Sequence, residues 1–154
     1  MHLVLKKTAR PTLFGPITHY VGKRLDNSDY SHGELLFKTG WSGSSVMGQG
    51  VRFKRINYTA GAWDFYTLPD ALEPMAHACF SLHNGEPYDN GYMLRFGIPI
   101  FKESPTKWGC IEIICTALGW SDTWRYGPGG CLSRCKDMYG SKLVENPEIL
   151  LNNL

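Results

Sequence analysis

Apolar and polar positions divide the chain into short elements with different periods. HLVLKK (residues 2–7) is a compact apolar run that predicts a strand. Between residues 10 and 26, Leu13, Phe14, Ile17, Tyr20 and Val21 recur at spacings of three and four. That period predicts a helix over part of the stretch, interrupted by Gly15 and Pro16. SHGELLF (31–37) predicts a strand stopping at the turn KTGWSG (38–43). GVRFKRINY (50–58) predicts the next strand, AGAW (60–63) a turn, and WDFYTLP (63–69) another strand. ALEPMAHACFSLHNG (71–85) has helical character and stops at Gly85. PYDNGYMLRFGIP (87–99) is ambiguous, with a helix start placed after Asp89. GCIEIICTALG (109–119) is a clear helix closed by Gly119. Strands grouped together and followed by helices imply an α+β fold, with an antiparallel sheet packed against helices.

Composition narrows the classes. The chain of 154 residues is one domain in size, with no repeat or linker to divide it. With 43% hydrophobic and 19% charged residues it has a globular profile. A formal net charge of +2 gives no reason to expect a nucleic-acid partner. The basic run VRFKR splits its charges between two strand faces, which favours a solvated face or edge for Arg52, Lys54 and Arg55. No apolar run approaches the roughly 18 residues of a membrane span. The N-terminal residues lack the pattern of a secretory leader, and five cysteines is an odd number. Reduced thiols in a cytoplasmic compartment are therefore expected.

Two cysteines lie on the helix of residues 109–119. Positions five apart on a helix differ by about 140° of rotation, so Cys110 and Cys115 occupy different faces. Cys115 belongs with Ile111, Ile114 and Leu118 as a buried small hydrophobe. Cys110 follows Gly109 in the first turn, where free N–H groups and the helix dipole favour a thiolate and can hold a developing oxyanion. A nucleophilic thiol needs a base, and His32 near the start of a strand is the histidine that stands out. Glu34, two residues on, projects from the same face and can orient the imidazole. On these residues alone two readings stand: a catalytic pair, or a core cysteine and a strand with His32 and Glu34 facing solvent.

Read in order, LVLKKTARPTLFGPITHYVGKRLDNSDYSHGELLF, SSVMGQGVRFKRI, WDFYTLP, GEPYDNGYMLRFGIP and KWGCIEIICTALG resemble the successive blocks of the circularly permuted papain-like proteins of the NlpC/P60 superfamily. The variety resembled is the small one of bacteriophages and prophages. The resemblance covers residues 1 to about 120 and implies a permuted papain-like fold with the histidine before the cysteine. It places the nucleophile on Cys110, the general base on His32 and the orienting acid on Glu34. Tyr88 and Asp89 match the family's Tyr-Asp pair, and Glu112 its C-x-E glutamate. Tyr30, Ser31, Tyr88, Asp89 and Trp108 are then the candidate substrate contacts. Three positions depart from the family pattern: Ile111 stands where serine is common, Gly109 where an aromatic is common, and Gly33 where a small apolar or β-branched residue is common.

The resemblance implies a cysteine-dependent hydrolase for an amide, peptide or acyl bond, cell-wall peptide among the natural substrates, with no cofactor or metal. Two other classes stay open. One is a non-catalytic phage structural or interaction protein that keeps the fold. The other is a zinc-stabilised binding protein using Cys131 and Cys135, whose spacing occurs in zinc sites and equally in one turn of a C-terminal helix.

Overall fold

The structure is a computed structural model that describes residues 1–8, 28–91 and 104–148. Its first strand, β1 (His2–Lys7), runs inside the sheet, because β2 (Tyr30–Leu36) and β5 (Trp63–Thr67) pair with its two sides. With β3 (Trp41–Val46) and β4 (Gly50–Arg55) the order is β4-β3-β2-β1-β5, antiparallel throughout. Three α-helices follow among the described residues: α1 (Glu73–His83), α2 (Cys110–Ala117) and α3 (Pro128–Tyr139). The fold is therefore α+β with an antiparallel sheet, as the grouping of strands and helices implies. The helix expected between residues 10 and 26 lies outside the described residues, as does the stretch from 92 to 99 in which another was placed.

Side-chain alternation gives the sheet two faces. Leu3, Leu5, Leu35, Phe37 and Val51 pack with Phe80 of α1, Ile111 and Ile114 of α2, and Cys131 and Cys135 of α3. Val4, Leu36, Tyr58 and Phe65 form a smaller cluster on the other face. Burying each large apolar side chain contributes about 1.5–3 kcal/mol, so the helix-covered face supplies most of the stability.

β3 is the element the hydrophobic pattern misses. Only Lys38–Gly40 turn, and Trp41 already begins a strand. The strand has small polar residues where an alternating apolar set would mark it. Ser42, Ser44 and Ser45 are buried because each hydroxyl finds a partner: Tyr58 Oη at 2.5 Å, the Gly33 carbonyl at 2.6 Å and the Trp108 carbonyl at 2.7 Å.

Two glycines set how closely the layers approach. A Cβ on Gly33 would stand 2.6 Å from Ile111 Cδ1, and one on Gly43 would stand 2.6–2.7 Å from three ring atoms of Phe80. Gly33 thus lets α2 lie directly on β2, which explains why no bulkier residue stands there. Gly43→Ala should destabilise the fold by roughly 1–3 kcal/mol, since the Phe80 ring is fully buried and has nowhere to move. Urea denaturation checks this, and an unchanged midpoint would mean the ring is not confined.

Helix α3 starts at Gly127-Pro128 and stops at Gly140, whose φ of 63° is the left-handed cap conformation. Arg134 on α3 lies over the rings of Trp120 and Tyr126 and reaches Asp122 Oδ1 at 3.1 Å, which ties this helix to the end of α2. Cys131 and Cys135 are one turn apart and wholly buried in the core.

Candidate active site

The N-terminus of α2 arrives where β2 loses contact with β3. Those strands pair at Leu35–Gly43 and Leu36–Ser42 alone, so the first half of β2 runs free of β3 along that edge. Ser44 spans the opening to the Gly33 carbonyl, and Ser45 holds the carbonyl of Trp108, two residues before Cys110. Gly109, extended at φ −74° and ψ 160°, is the N-cap. Its N–H donates to Glu112 Oε2 at 2.9 Å, so Glu112 closes the first turn from inside the helix. Cys110 is thereby fixed as the first helical residue, with 6% of its surface exposed.

His32 faces it from β2. Its Nε2 lies 2.9 Å from Glu34 Oε1, and the Cys110 side chain is near enough to act on the ring by charge and hydrogen bonding. With Nε2 committed to the carboxylate, Nδ1 is the nitrogen left for the thiol. Trp63 of β5 stands edge-on to the ring at 6.2 Å between centroids and confines it from the side. The His32 side chain is 20% exposed, so solvent reaches the ring. Burial pulls the imidazole's proton affinity down, but the negative charge and hydrogen bond of Cys110, then those of Glu34, outweigh it and carry the value up to about 10.

The sign of that shift has two consequences. A group bound more tightly to its proton in the folded state stabilises the fold fully below its unfolded value of 6.5, and that contribution is lost as the pH rises through about 10. The ring nitrogens of His32 should therefore give imidazolium shifts in long-range 15N–1H spectra at pH 8. In Cys110→Ala the titration should move down, because the largest upward cause is gone. Neutral imidazole at pH 8 in the wild type would contradict the pairing.

Glu34 is 1% exposed, so the solvent-facing reading of this strand does not hold for it. Its charge is compensated by a residue that sequence spacing did not single out. Arg52 of β4 brings Nη2 to 2.5 Å from Glu34 Oε1. Arg52 stands opposite Ser44 in the register, and that small side chain lets the guanidinium reach across β3 to β2. The side chain is 14% exposed, which corrects its assignment to a solvated face; Lys54 and Arg55 are exposed as expected. The pair joins residues 18 apart on strands that are not neighbours, so no local pattern could have announced it.

The other expected contacts divide into two groups. Tyr88 and Trp108 form a parallel bridge, with the Trp108 N–H donating to the Pro87 carbonyl and the Asp89 N–H to the Trp108 carbonyl. Tyr88 is close enough that burial first, then the charges of Cys110 and Glu112, push its phenol's ionisation upward. Trp108 donates its indole N–H to Glu86 and packs on the His83 ring. Asp89 is buried and accepts from the Gly91 N–H at 2.8 Å, which makes it a turn-forming residue here. Tyr30 lies beyond the β1–β2 register shift between Lys6 and Lys7 and packs against the helix-covered core, where its hydroxyl binds Asp64 Oδ2 at 2.7 Å and Tyr66 Oη at 2.8 Å. Ser31 is exposed at that irregularity.

Among the described residues no group of three or more His, Cys, Asp or Glu is arranged to hold a metal ion, and no helix is long and apolar enough to cross a membrane. Of the residues weighed as candidates, Cys110, His32 and Glu34 are the three that converge. No family model, curated protein or solved structure matches this chain, so its function is read from that convergence.

Proposed function

We propose that the chain is a cysteine-dependent hydrolase of amide, peptide or acyl bonds, built on a permuted papain-like arrangement in which the histidine strand precedes the cysteine helix. The observation that carries this reading is the line Cys110–His32–Glu34: a thiol at a helix N-terminus, an imidazole near enough to feel its charge, and a buried carboxylate on one ring nitrogen. Each part has a chemical task. The protonated imidazole favours the thiolate, as does the helix N-terminus. Glu34 fixes the ring's orientation and favours the imidazolium.

In the reaction, Cys110 Sγ attacks the substrate carbonyl carbon and forms a C–S bond, while the oxyanion lies against backbone N–H groups at the start of α2. The tetrahedral species collapses as the C–N or C–O bond breaks, and His32 gives its proton to the leaving amine or alcohol. A water then attacks the thioester and His32 takes its proton. The C–S bond breaks, the acid leaves, and thiolate and imidazolium are restored. Tyr88 and Trp108, beside Cys110, supply the nearest surface for substrate.

A generic acyl donor tests the chemistry without a known substrate. p-Nitrophenyl acetate should release a burst of nitrophenol and leave an acetyl group on Cys110, seen by peptide mass spectrometry. Acetylation no faster at Cys110 than at Cys79 would favour a protein that keeps the fold and lacks turnover.

A further inference from the structure

We propose that Arg52 is a positioning residue, whose guanidinium holds Glu34 as a carboxylate against His32 and so sets the pH range over which the His32–Cys110 pair is charged. This rests on the hydrolase reading and extends its site by one residue.

The geometry of the shared oxygen carries the inference. Arg52 Nη2 and His32 Nε2 approach the same atom, Glu34 Oε1, at 2.5 and 2.9 Å. Arginine and carboxylate ordinarily pair through two parallel bonds when their task is mutual stabilisation. That fork is not formed here: Glu34 Oε2 and Arg52 Nε and Nη1 are buried without a hydrogen-bond partner among the described residues. The guanidinium meets the carboxylate end-on, through the one oxygen that the imidazole also uses. Any change in Arg52 is thus felt directly by His32.

Electrostatics says why a cation is needed. A carboxylate buried to 1% exposure strongly favours its neutral form unless it is paired. As a neutral acid Glu34 would lose the charge that supports the imidazolium. His32 is the weaker guarantor, since its own charge depends on the state of Cys110. Arginine remains charged at every relevant pH. The other titratable groups around the cluster are Lys6 of β1, level with His32 in the register, Tyr58 after β4, Cys110 of α2, and Tyr88 and Glu112 near the thiol. Removing the cation directly raises the proton affinity of each of them, and protonation of Glu34 then takes from the imidazolium the anion that supports it, so the thiolate loses its counter-charge. Both Glu34 and Cys110 take up protons at a higher pH.

The test is the pH profile of Cys110 alkylation by iodoacetamide in wild type, Arg52→Met, Arg52→Gln and Arg52→Lys. In the Met and Gln variants the acid side of the profile should move up by about one pH unit, a roughly tenfold lower rate at fixed pH on that side, with the alkaline plateau unchanged. Arg52→Lys, which restores the charge, should return most of the loss. If the Met variant does not fold, the Gln and Lys variants carry the comparison. A purely structural pair would lower the denaturation midpoint without moving the profile, and a folded Gln variant with the wild-type profile overturns the proposal. A wild-type Cys110 with no reactivity below pH 8 would overturn the hydrolase reading as well. A reactive wild type with unshifted variants would remove Arg52 alone.

Discussion

In a His32→Ala variant, alkylation of Cys110 at pH 6 falls at least about a hundredfold. An ordinary thiol titrates near 8.5, so about one molecule in 300 is ionised at pH 6. A thiol paired with an imidazolium is ionised in most molecules, and alkylation proceeds through the thiolate. The factor lost with the imidazole approaches the ratio of those fractions. The helix N-terminus remains in the variant and retains part of the effect, commonly under 1 kcal/mol. The fold should tolerate the change, since His32 is partly exposed and Trp63 keeps its place on β5. The readout is the rate at Cys110, resolved from the other cysteines by peptide mapping. A decrease of less than about threefold would mean that His32 does not govern the thiol.

The second large effect is on stability. Glu34→Leu leaves Arg52 with its charge buried and its ion-pair partner among the described residues gone, and stranding one member of a buried ion pair costs about 3–5 kcal/mol. That is a large share of the stability of a domain this size. The double variant Glu34→Leu with Arg52→Met removes both charges and should recover most of the loss, because two well-packed apolar side chains can substitute for a buried pair. Urea unfolding of the three variants separates the contributions. If the double variant is as unstable as Glu34→Leu, packing around Glu34 and not the stranded charge is responsible.

How much was legible in the sequence depended on the range of the signal. Helix α2 was readable because Ile111, Ile114, Cys115 and Leu118 repeat at the helical period and Gly119 ends it. The relation of His32 to Glu34 was readable because alternation puts residues two apart on one face of a strand. Whether that face met water or protein was not, since alternation carries no information about what covers it; the cover comes from Tyr58, Trp63 and Phe65, remote in sequence. β3 was invisible because its buried side chains are serines and a glycine, selected by hydroxyl partners and by the space Phe80 needs. Arg52 was invisible for a related reason: its value as a neighbour of Glu34 depends on how β4, β3 and β2 stack side by side. Tyr30, two residues from His32, commits its hydroxyl to Asp64 and Tyr66 of β5, beyond one irregularity in strand pairing that no local pattern shows.

The measurement that tests the central claim most directly is a competition among the five cysteines of the folded protein. At pH 6 with a small amount of iodoacetamide, simple accessibility favours Cys79, which is more exposed than Cys110. Burial and then the charge of Glu86 push the Cys79 thiol up to about 11, so it offers almost no thiolate at that pH. If His32 and the start of α2 hold Cys110 as a thiolate, Cys110 takes the label first despite its burial, and Cys79, Cys115, Cys131 and Cys135 stay unmodified. Labelling that follows exposure, with Cys79 first and Cys110 inert, would contradict the account.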